Sequence, residues 1–128
     1  MNKLVIDVAS EKIFLMIITK DDIYNITKEN TKINYEKLTL IVKDFLNSNS
    51  LKIDDINKIY VNRGPGSFAG IRNSLSVVKA FNVAKKIDYY CYSFDDFKDE
   101  INVKYEDIPN LCDKFKIKKN LIKPVYLS

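Results

Sequence analysis

The hydrophobic residues of this chain follow two different spacings. Short, nearly continuous apolar runs are typical of buried strands, and one further segment alternates apolar with polar residues. Together these patterns predict strands at residues 4–8, 12–19, 23–27, 58–62 and 89–93. Apolar residues at helical spacing predict helices at 34–47 and 71–86, with Asn34 capping the first. A shorter amphipathic helix is predicted over 94–101.

The predicted element order is β-β-β-α-β-α-β. The links between the first three strands are too short for crossovers, so these strands must be antiparallel neighbours. The later strands each follow a helix, and the combination predicts an α/β fold with a mixed sheet and helices packed on it. This is the ribonuclease-H-like order of the actin, sugar-kinase and Hsp70 superfamily of ATP-binding domains. We expect this single lobe to span residues 1–97 and residues 98–128 to form a short C-terminal tail, extended from 123 onward.

The amino-acid composition limits the kinds of protein and of catalytic or metal site that this chain can form. The chain has 128 residues and a net charge of +4 that is spread along the sequence, which is expected for one soluble domain. No apolar run approaches the roughly 20 residues of a membrane span, and Asp7 interrupts the first run before a signal peptide could form, so we expect a cytoplasmic protein without membrane contact. The chain has no histidine, which removes the commonest general base and zinc ligand. Cys91 and Cys112 match no metal or redox spacing and are expected to be reduced thiols. We therefore expect neither a metal nor a cofactor.

All three glycines and both arginines fall within residues 63–72, between a predicted strand and a predicted helix. The spacing does not fit a P-loop, a dinucleotide fingerprint or a nucleophile elbow. Two interpretations stay open: a phosphate-binding helix N-terminus with Ser67 as a donor, or a tight turn that packs against the first strand. The residues of this candidate loop are Arg63, Gly64, Pro65, Gly66, Ser67, Phe68, Gly70 and Arg72.

Three segments carry a family resemblance. Residues 63–72, RGPGSFAGIR, closely resemble the R-G-P-G-S-F-T-G-[VI]-R signature of the bacterial TsaB family, also called YeaZ, with Ala69 in place of the usual Thr. Residues 6–10, IDVAS, are similar to the family's I-D-T-[AS]-[TS], and residues 124–128, PVYLS, to its closing P-x-Y-L-R. The family usually has a second lobe of similar architecture before this closing motif, and only about thirty residues stand in its place here.

The resemblance implies a role in forming N6-threonylcarbamoyladenosine at position 37 of tRNA. It implies a non-catalytic, glycoprotease-like scaffold subunit that binds and activates the catalytic paralogue TsaD, with the ATPase TsaE as a further partner and tRNA bound through the complex. The alternative is a small ATP-dependent phosphotransferase or hydrolase of the same superfamily fold. That enzyme would use Asp7 and the glycine loop. Asp7 and Ser10 occupy the superfamily's nucleotide position, although Val8-Ala9-Ser10 contains no glycine.

Two parts of the chain are candidate surfaces for binding a partner. The second helix has two apolar stripes, and a surface helix needs only one. The stripe proposed to contact TsaD, or a second copy of the chain, is Ile71, Leu75, Val78 and Asn82, joined by Leu38 and Val42 of the first helix. The lysine run over 114–123 contains five lysines and no acid; it could contact tRNA, but a solvated face is favoured because Phe115 is its only aromatic residue.

Overall fold

The computed structural model describes residues 1–10, 12–98 and 100–126. The strands are β1 (Lys3–Asp7), β2 (Lys12–Ile18), β3 (Ile23–Glu29), β4 (Lys58–Asn62) and β5 (Asp88–Tyr92). The α-helices are α1 (Lys32–Glu36), α2 (Leu38–Ser48), α3 (Phe68–Lys85) and α4 (Ile108–Lys114). None of the described helices is long and apolar enough to cross a bilayer.

The five strands form one mixed sheet in the order β3-β2-β1-β4-β5. β2 pairs antiparallel with both β1 and β3, whereas β4 pairs parallel with both β1 and β5. The predicted order of elements and the α/β class are therefore confirmed through β5. α2 and α3 are the crossover helices that the parallel strands require.

Both faces of the sheet are buried along β1, β2, β4 and β5, which explains why these strand sequences are nearly continuous apolar runs, whereas the edge strand β3 is largely exposed. Successive side chains of a strand point to opposite faces. In β1, Leu4 and Ile6 pack with the first three helices, and Val5 packs on the second face against Tyr60, Tyr92 and Ile108. The segment that contains α4 thus covers the second face of the sheet, and the two together form a second hydrophobic cluster.

The first predicted helix is divided in two. Lys37 separates α1 from α2, and the cap of α1 is Thr31 rather than Asn34. The Thr31 side chain accepts a hydrogen bond from the Asn34 N–H at 3.2 Å, so Asn34 lies inside the first turn. Thr31 has the extended backbone of a cap residue, which the apolar spacing of the helix could not reveal.

The predicted helix over 94–101 is wrong. The described residues of this segment form a single 3-10 turn, over Phe94–Asp96. Its Asp96 carboxylate accepts a hydrogen bond from the Ser93 N–H at 2.8 Å and is also bound by Arg63. These bonds hold a turn at the point where the helix would have had to continue.

Residues within 100–126 pack against the rest of the chain. Phe97, Leu111 and Cys112 lie in the same buried cluster as Val5 and Tyr60, so the packing has no break at residue 97. Beyond α4, the Asn120 N–H bonds the Tyr89 carbonyl at 2.7 Å at the free edge of β5. Residues 121–126, here called the strap, then return along α3 toward the glycine loop, where Tyr126 forms a parallel bridge with Gly66.

Candidate functional site

The glycine loop is packed tightly against the turn between β1 and β2. The Ser67 N–H donates to the Ala9 carbonyl at 3.0 Å. A Cβ on Gly66 would lie 2.2 Å from the Ala9 oxygen, and a Cβ on Gly70 would lie 2.1 Å from the Val8 oxygen. These glycines are required because another backbone approaches them closely, not because of a positive φ. The loop thus packs tightly against the β1–β2 turn, and phosphate binding stays a prediction.

The other side of the loop receives the strap. Gly64 has a φ of +109°, and a Cβ there would lie 1.9 Å from the Val125 carbonyl oxygen. The Val125 N–H donates to the Arg63 carbonyl at 2.7 Å, and the Phe68 and Tyr126 rings lie 4.7 Å apart. Two of the three segments that carried the family resemblance, 63–72 and 124–126, thus meet in space; Leu127 and Ser128 lie outside the described residues.

Arg63 and Arg72 differ in their surroundings. The Arg63 guanidinium binds both carboxylate oxygens of Asp96, at 2.7 and 3.4 Å, and donates to the Lys123 carbonyl at 3.1 Å. Arg63 therefore attaches the strap to the loop. Arg72 is exposed on α3 and lines a groove beside the strap.

Asp7 ends β1 and is only 3% exposed. Its Oδ1 accepts from the Ala9 N–H at 3.0 Å, and its Oδ2 accepts from Asn62 Nδ2 at 3.1 Å and from the Tyr105 hydroxyl at 2.7 Å. Asn62 Oδ1 in turn accepts from the Gly64 N–H at 2.8 Å. Asp7 therefore orders its own turn and, through Asn62, the glycine loop.

Sequence reasoning missed Asn62 and Tyr105. Asn62 had a signal: like Asp7, it is a polar residue at the end of a buried strand, and β1 and β4 are parallel neighbours with Ile6 opposite Val61. Tyr105 had none, because it comes from a segment without periodicity. Burial and the adjacent Asp7 raise the Tyr105 pKa, so its hydroxyl stays protonated and donates.

A cavity of about 720 Å³ lies in front of this network. It is lined by Ala9, Ser10, Lys12, Asn30, Tyr35, Gly66 and Ser67. Ser67 Oγ accepts from the Gly70 N–H at 3.3 Å and lies 3.2 Å from the Tyr35 hydroxyl, and Lys12 pairs with Glu29 at 2.7 Å. Ser10 lies at the cavity, whereas Asp7 does not line it. The walls of the cavity can offer hydrogen bonds to a polar ligand, but the Asp7 carboxylate does not reach the cavity.

The proposed partner stripe is not exposed. Leu38, Val42, Ile71, Leu75 and Val78 are all buried in the core between the helices and the sheet. Asn82 donates from its side chain to the Ile87 carbonyl at 3.0 Å and so ends α3. These side chains face inward because β1, β2 and β4 present a continuous apolar face to both helices. A partner on these helices must contact other residues.

The two cysteines are buried free thiols on opposite faces of the sheet. Burial raises the pKa of each to about 12. They are held protonated and apart, as expected from the sequence. Among the described residues, no group of three or more His, Cys, Asp or Glu is placed to hold a metal ion.

Comparisons with known proteins give the family. The profile described as "TsaD: tRNA N6-adenosine threonylcarbamoyltransferase" matches residues 29–93, which are 65 of the 128 residues. Two curated relatives are both described as tRNA threonylcarbamoyladenosine biosynthesis protein TsaB. The one from Buchnera aphidicola subsp. Schizaphis graminum is 25% identical over 87 residues, covering 68% of this chain and 41% of its own length. The one from subsp. Baizongia pistaciae is 27% identical over 86 residues, covering 67% and 39%.

Solved structures share the fold. YeaZ from Pseudomonas aeruginosa superposes with a TM-score of 0.66 at 21% identity, over 72% of this chain and 43% of YeaZ. Thermus thermophilus RuvC, solved with a Holliday junction substrate, superposes with a TM-score of 0.56 at 12% identity, over 92% of this chain and 80% of RuvC. The chain spans about two fifths of the length of the TsaB relatives it matches. It has the ribonuclease-H-like α/β fold and belongs to the TsaD-related family, within which it is a member of the TsaB (YeaZ) group.

Proposed function

We propose that this chain is a non-catalytic scaffold subunit in the biosynthesis of N6-threonylcarbamoyladenosine at tRNA position 37, where it binds and activates the catalytic subunit TsaD. Family membership supports the pathway, since the curated relatives are described as tRNA threonylcarbamoyladenosine biosynthesis proteins. TsaD would supply the chemistry, TsaE would join the pair, and tRNA would be bound by the assembled complex in the cytoplasm.

The observation that carries the non-catalytic part is the state of Asp7. Its two oxygens already accept three hydrogen bonds from the protein, from Ala9, Asn62 and Tyr105. A carboxylate that coordinates a metal or acts as a base needs a free lone pair directed at its substrate. In this chain the carboxylate is engaged in holding two turns and the C-terminal segment together.

The partner surface would lie on the solvent side of α2 and α3. On α3 that side presents small or short side chains, and Val83 is 69% exposed. The other exposed residues on that side of α3 are Ala69, Ser76, Ala80 and Ala84. On α2 the exposed residues include Thr39, Leu40 and Lys43. Small side chains let another helix approach closely, which suits a helical face of a paralogous subunit.

Co-purification of the tagged chain with TsaD from the same organism tests this proposal. We expect a stable complex, and we expect Ala80→Glu or Val83→Glu to weaken it by at least a hundredfold, because burying an unpaired carboxylate costs several kcal/mol. Ile101→Glu is the matched control, since Ile101 is 83% exposed and lies outside both helices. Failure to capture TsaD with the parent chain, or equal binding by all three variants, would contradict the proposed surface.

One observation favours the alternative enzyme, an ATP-dependent phosphotransferase or hydrolase. The cavity lined by Ser10 and Ser67 lies beside the N-terminus of α3, where a phosphate would be attracted. Calorimetric titration of the isolated chain with ATP and Mg²⁺ separates the two functions. The scaffold function predicts little or no ATP binding by the isolated chain, whereas the enzyme function requires ATP binding. Sedimentation of the same sample reports whether the chain forms a homodimer.

A further inference from the structure

Two separate segments of the chain contain basic residues and no acidic ones. Residues 68–86 and 115–126 have no Asp or Glu. Together they contribute eight cations: Arg72, Lys79, Lys85, Lys86, Lys116, Lys118, Lys119 and Lys123. The first segment is α3 and the residue after it, and the second leads into the strap.

The fold places these segments side by side. A groove of about 350 Å³ between α3 and the strap is lined by Arg72 and Lys79 on one side and by Ile122, Pro124 and Tyr126 on the other. A second groove, of about 270 Å³, includes Lys116, Lys118, Lys123 and Arg63 among its lining residues. Alternate residues of the strap thus line alternate grooves. We call Arg72, Lys79, Lys116, Lys118 and Lys123, with Phe68 and Tyr126, the basic strap surface.

The charges of this surface are not neutralised by neighbours. Lys85 pairs with Asp54 at 3.0 Å and Lys119 with Asp88 at 3.5 Å, so these two cations are engaged. Within the part of the chain that the structure describes, no carboxylate lies within 4.0 Å of the side-chain nitrogens of the five cations of the basic strap surface. Asp96, which lines the second groove, is bound by Arg63. Clustered cations without counter-charges attract a polyanion.

The surface also carries an exposed aromatic pair. Phe68 is 54% exposed and Tyr126 is 40% exposed, and their rings are in contact at 4.7 Å with Arg72 one turn farther along α3. Aromatic rings beside cations are the arrangement on which unpaired bases stack while phosphates are neutralised. The lysine run by itself lacked this feature, and the glycine loop supplies it.

We propose that the basic strap surface binds the sugar-phosphate backbone of tRNA, with Phe68 and Tyr126 stacking on an unpaired base. The identity of this RNA rests on the proposed function. The surface lies along the strap side of α3, and Ser76, which lines its groove, also belongs to the side proposed for TsaD.

Fluorescence anisotropy with a labelled, unmodified tRNA that reads a codon beginning with A tests the proposal on the full chain. Between 50 and 200 mM KCl we expect a Kd of about 10⁻⁴ to 10⁻⁶ M that weakens steeply with salt. Lys118→Gln with Lys123→Gln should weaken binding and reduce the slope of log K against log salt by about 0.7 to 0.9 for each cation removed. Tyr126→Ala should weaken binding by about fivefold to a hundredfold without changing that slope.

The matched control is Lys20→Gln with Lys28→Gln, which removes the same charge at the β2–β3 edge on the far side of the sheet. Its binding and slope should equal those of the parent. No RNA binding at 50 mM KCl, or equal losses in both double variants, would overturn the proposal. TsaD co-purification of Lys118→Gln/Lys123→Gln separates it from the proposed function. If the parent chain binds TsaD but no RNA, the RNA surface alone is refuted. If the parent chain binds no RNA and the double variant loses TsaD, the surface binds an acidic protein instead.

Discussion

The Tyr105 hydroxyl donates a 2.7 Å hydrogen bond to Oδ2 of Asp7, a residue 98 positions earlier in the chain. The Tyr105 ring also stacks on Phe14, with ring centroids 4.0 Å apart and planes inclined by 23°. This contact joins the C-terminal segment to the end of β1, directly behind the turn that supports the glycine loop. The last quarter of the chain is therefore part of the structure that shapes the loop.

Removing only this hydroxyl should loosen that connection. We expect Tyr105→Phe to lower the free energy of unfolding by about 1.5 to 3 kcal/mol, because a hydrogen bond to a charged acceptor is lost while the ring contacts remain. Urea denaturation measures the change, and hydrogen exchange should show faster exchange in residues 103–114. Tyr24→Phe is the control, because Tyr24 lies on the exposed edge strand β3. Equal stability of parent and Tyr105→Phe would show that the bond contributes nothing.

Asp7→Asn should affect stability more than chemistry. The amide would place a donor where Asn62 and Tyr105 already donate, so we expect a loss of about 1 to 3 kcal/mol. At saturating TsaD, we expect tRNA modification by the reconstituted complex to stay within about tenfold of the parent, since loss of a general acid or base alone typically costs 10² to 10⁴ in rate. A thousandfold loss with the complex still assembled would favour the enzyme interpretation.

Gly70→Ala reverses an expectation from helix propensity. An alanine inside a helix is normally about 1 kcal/mol better than glycine, which by itself would favour alanine at Gly70. The Cβ would lie 2.1 Å from the Val8 oxygen, so α3 or the β1–β2 turn would have to move. We expect a destabilisation of about 3 kcal/mol or more in urea unfolding. Ala80→Gly, an exposed position of the same helix, should lose only about 1 kcal/mol. A more stable Gly70→Ala variant would disprove the close contact.

The buried thiols predict instability at alkaline pH. Burial raises the pKa of Cys91 and Cys112 from 9.0 to about 12, so above pH 9 the unfolded chain loses these protons and the folded chain keeps them. The stabilisation is complete below pH 9 and is lost progressively toward pH 12. Each thiol should lower the free energy of unfolding by about 1 kcal/mol at pH 9.5. Urea titrations at pH 8.0 and 9.5 measure this loss, and Cys91→Ala with Cys112→Ala should show a smaller one.

The sequence was sufficient for the order of strands and crossover helices, because these depend on local periodicity and on link length. It was insufficient after residue 93. There the helix expected at 94–101 is replaced by a turn held by Arg63, and α4 forms where isolated apolar residues had shown no clear period. Both outcomes depend on contacts with distant parts of the chain, which no local pattern encodes.

The glycine loop shows the same division. Its residue types alone revealed a special backbone and, through their order, the TsaB family. Only the tertiary structure showed which backbone lies against each glycine. Gly66 contacts the backbone of residue 9, Gly70 that of residue 8 and Gly64 that of Val125. Local spacing likewise could not tell whether the stripe of Ile71, Leu75 and Val78 faces solvent or the core. Burial is decided by what packs opposite, and the sheet covers Leu75 and Val78. The candidate RNA surface arises for the same reason: after the turn at Asn120, the strap lies beside Arg72 and Lys79 of α3 and Tyr126 contacts Phe68, some fifty residues earlier in the chain.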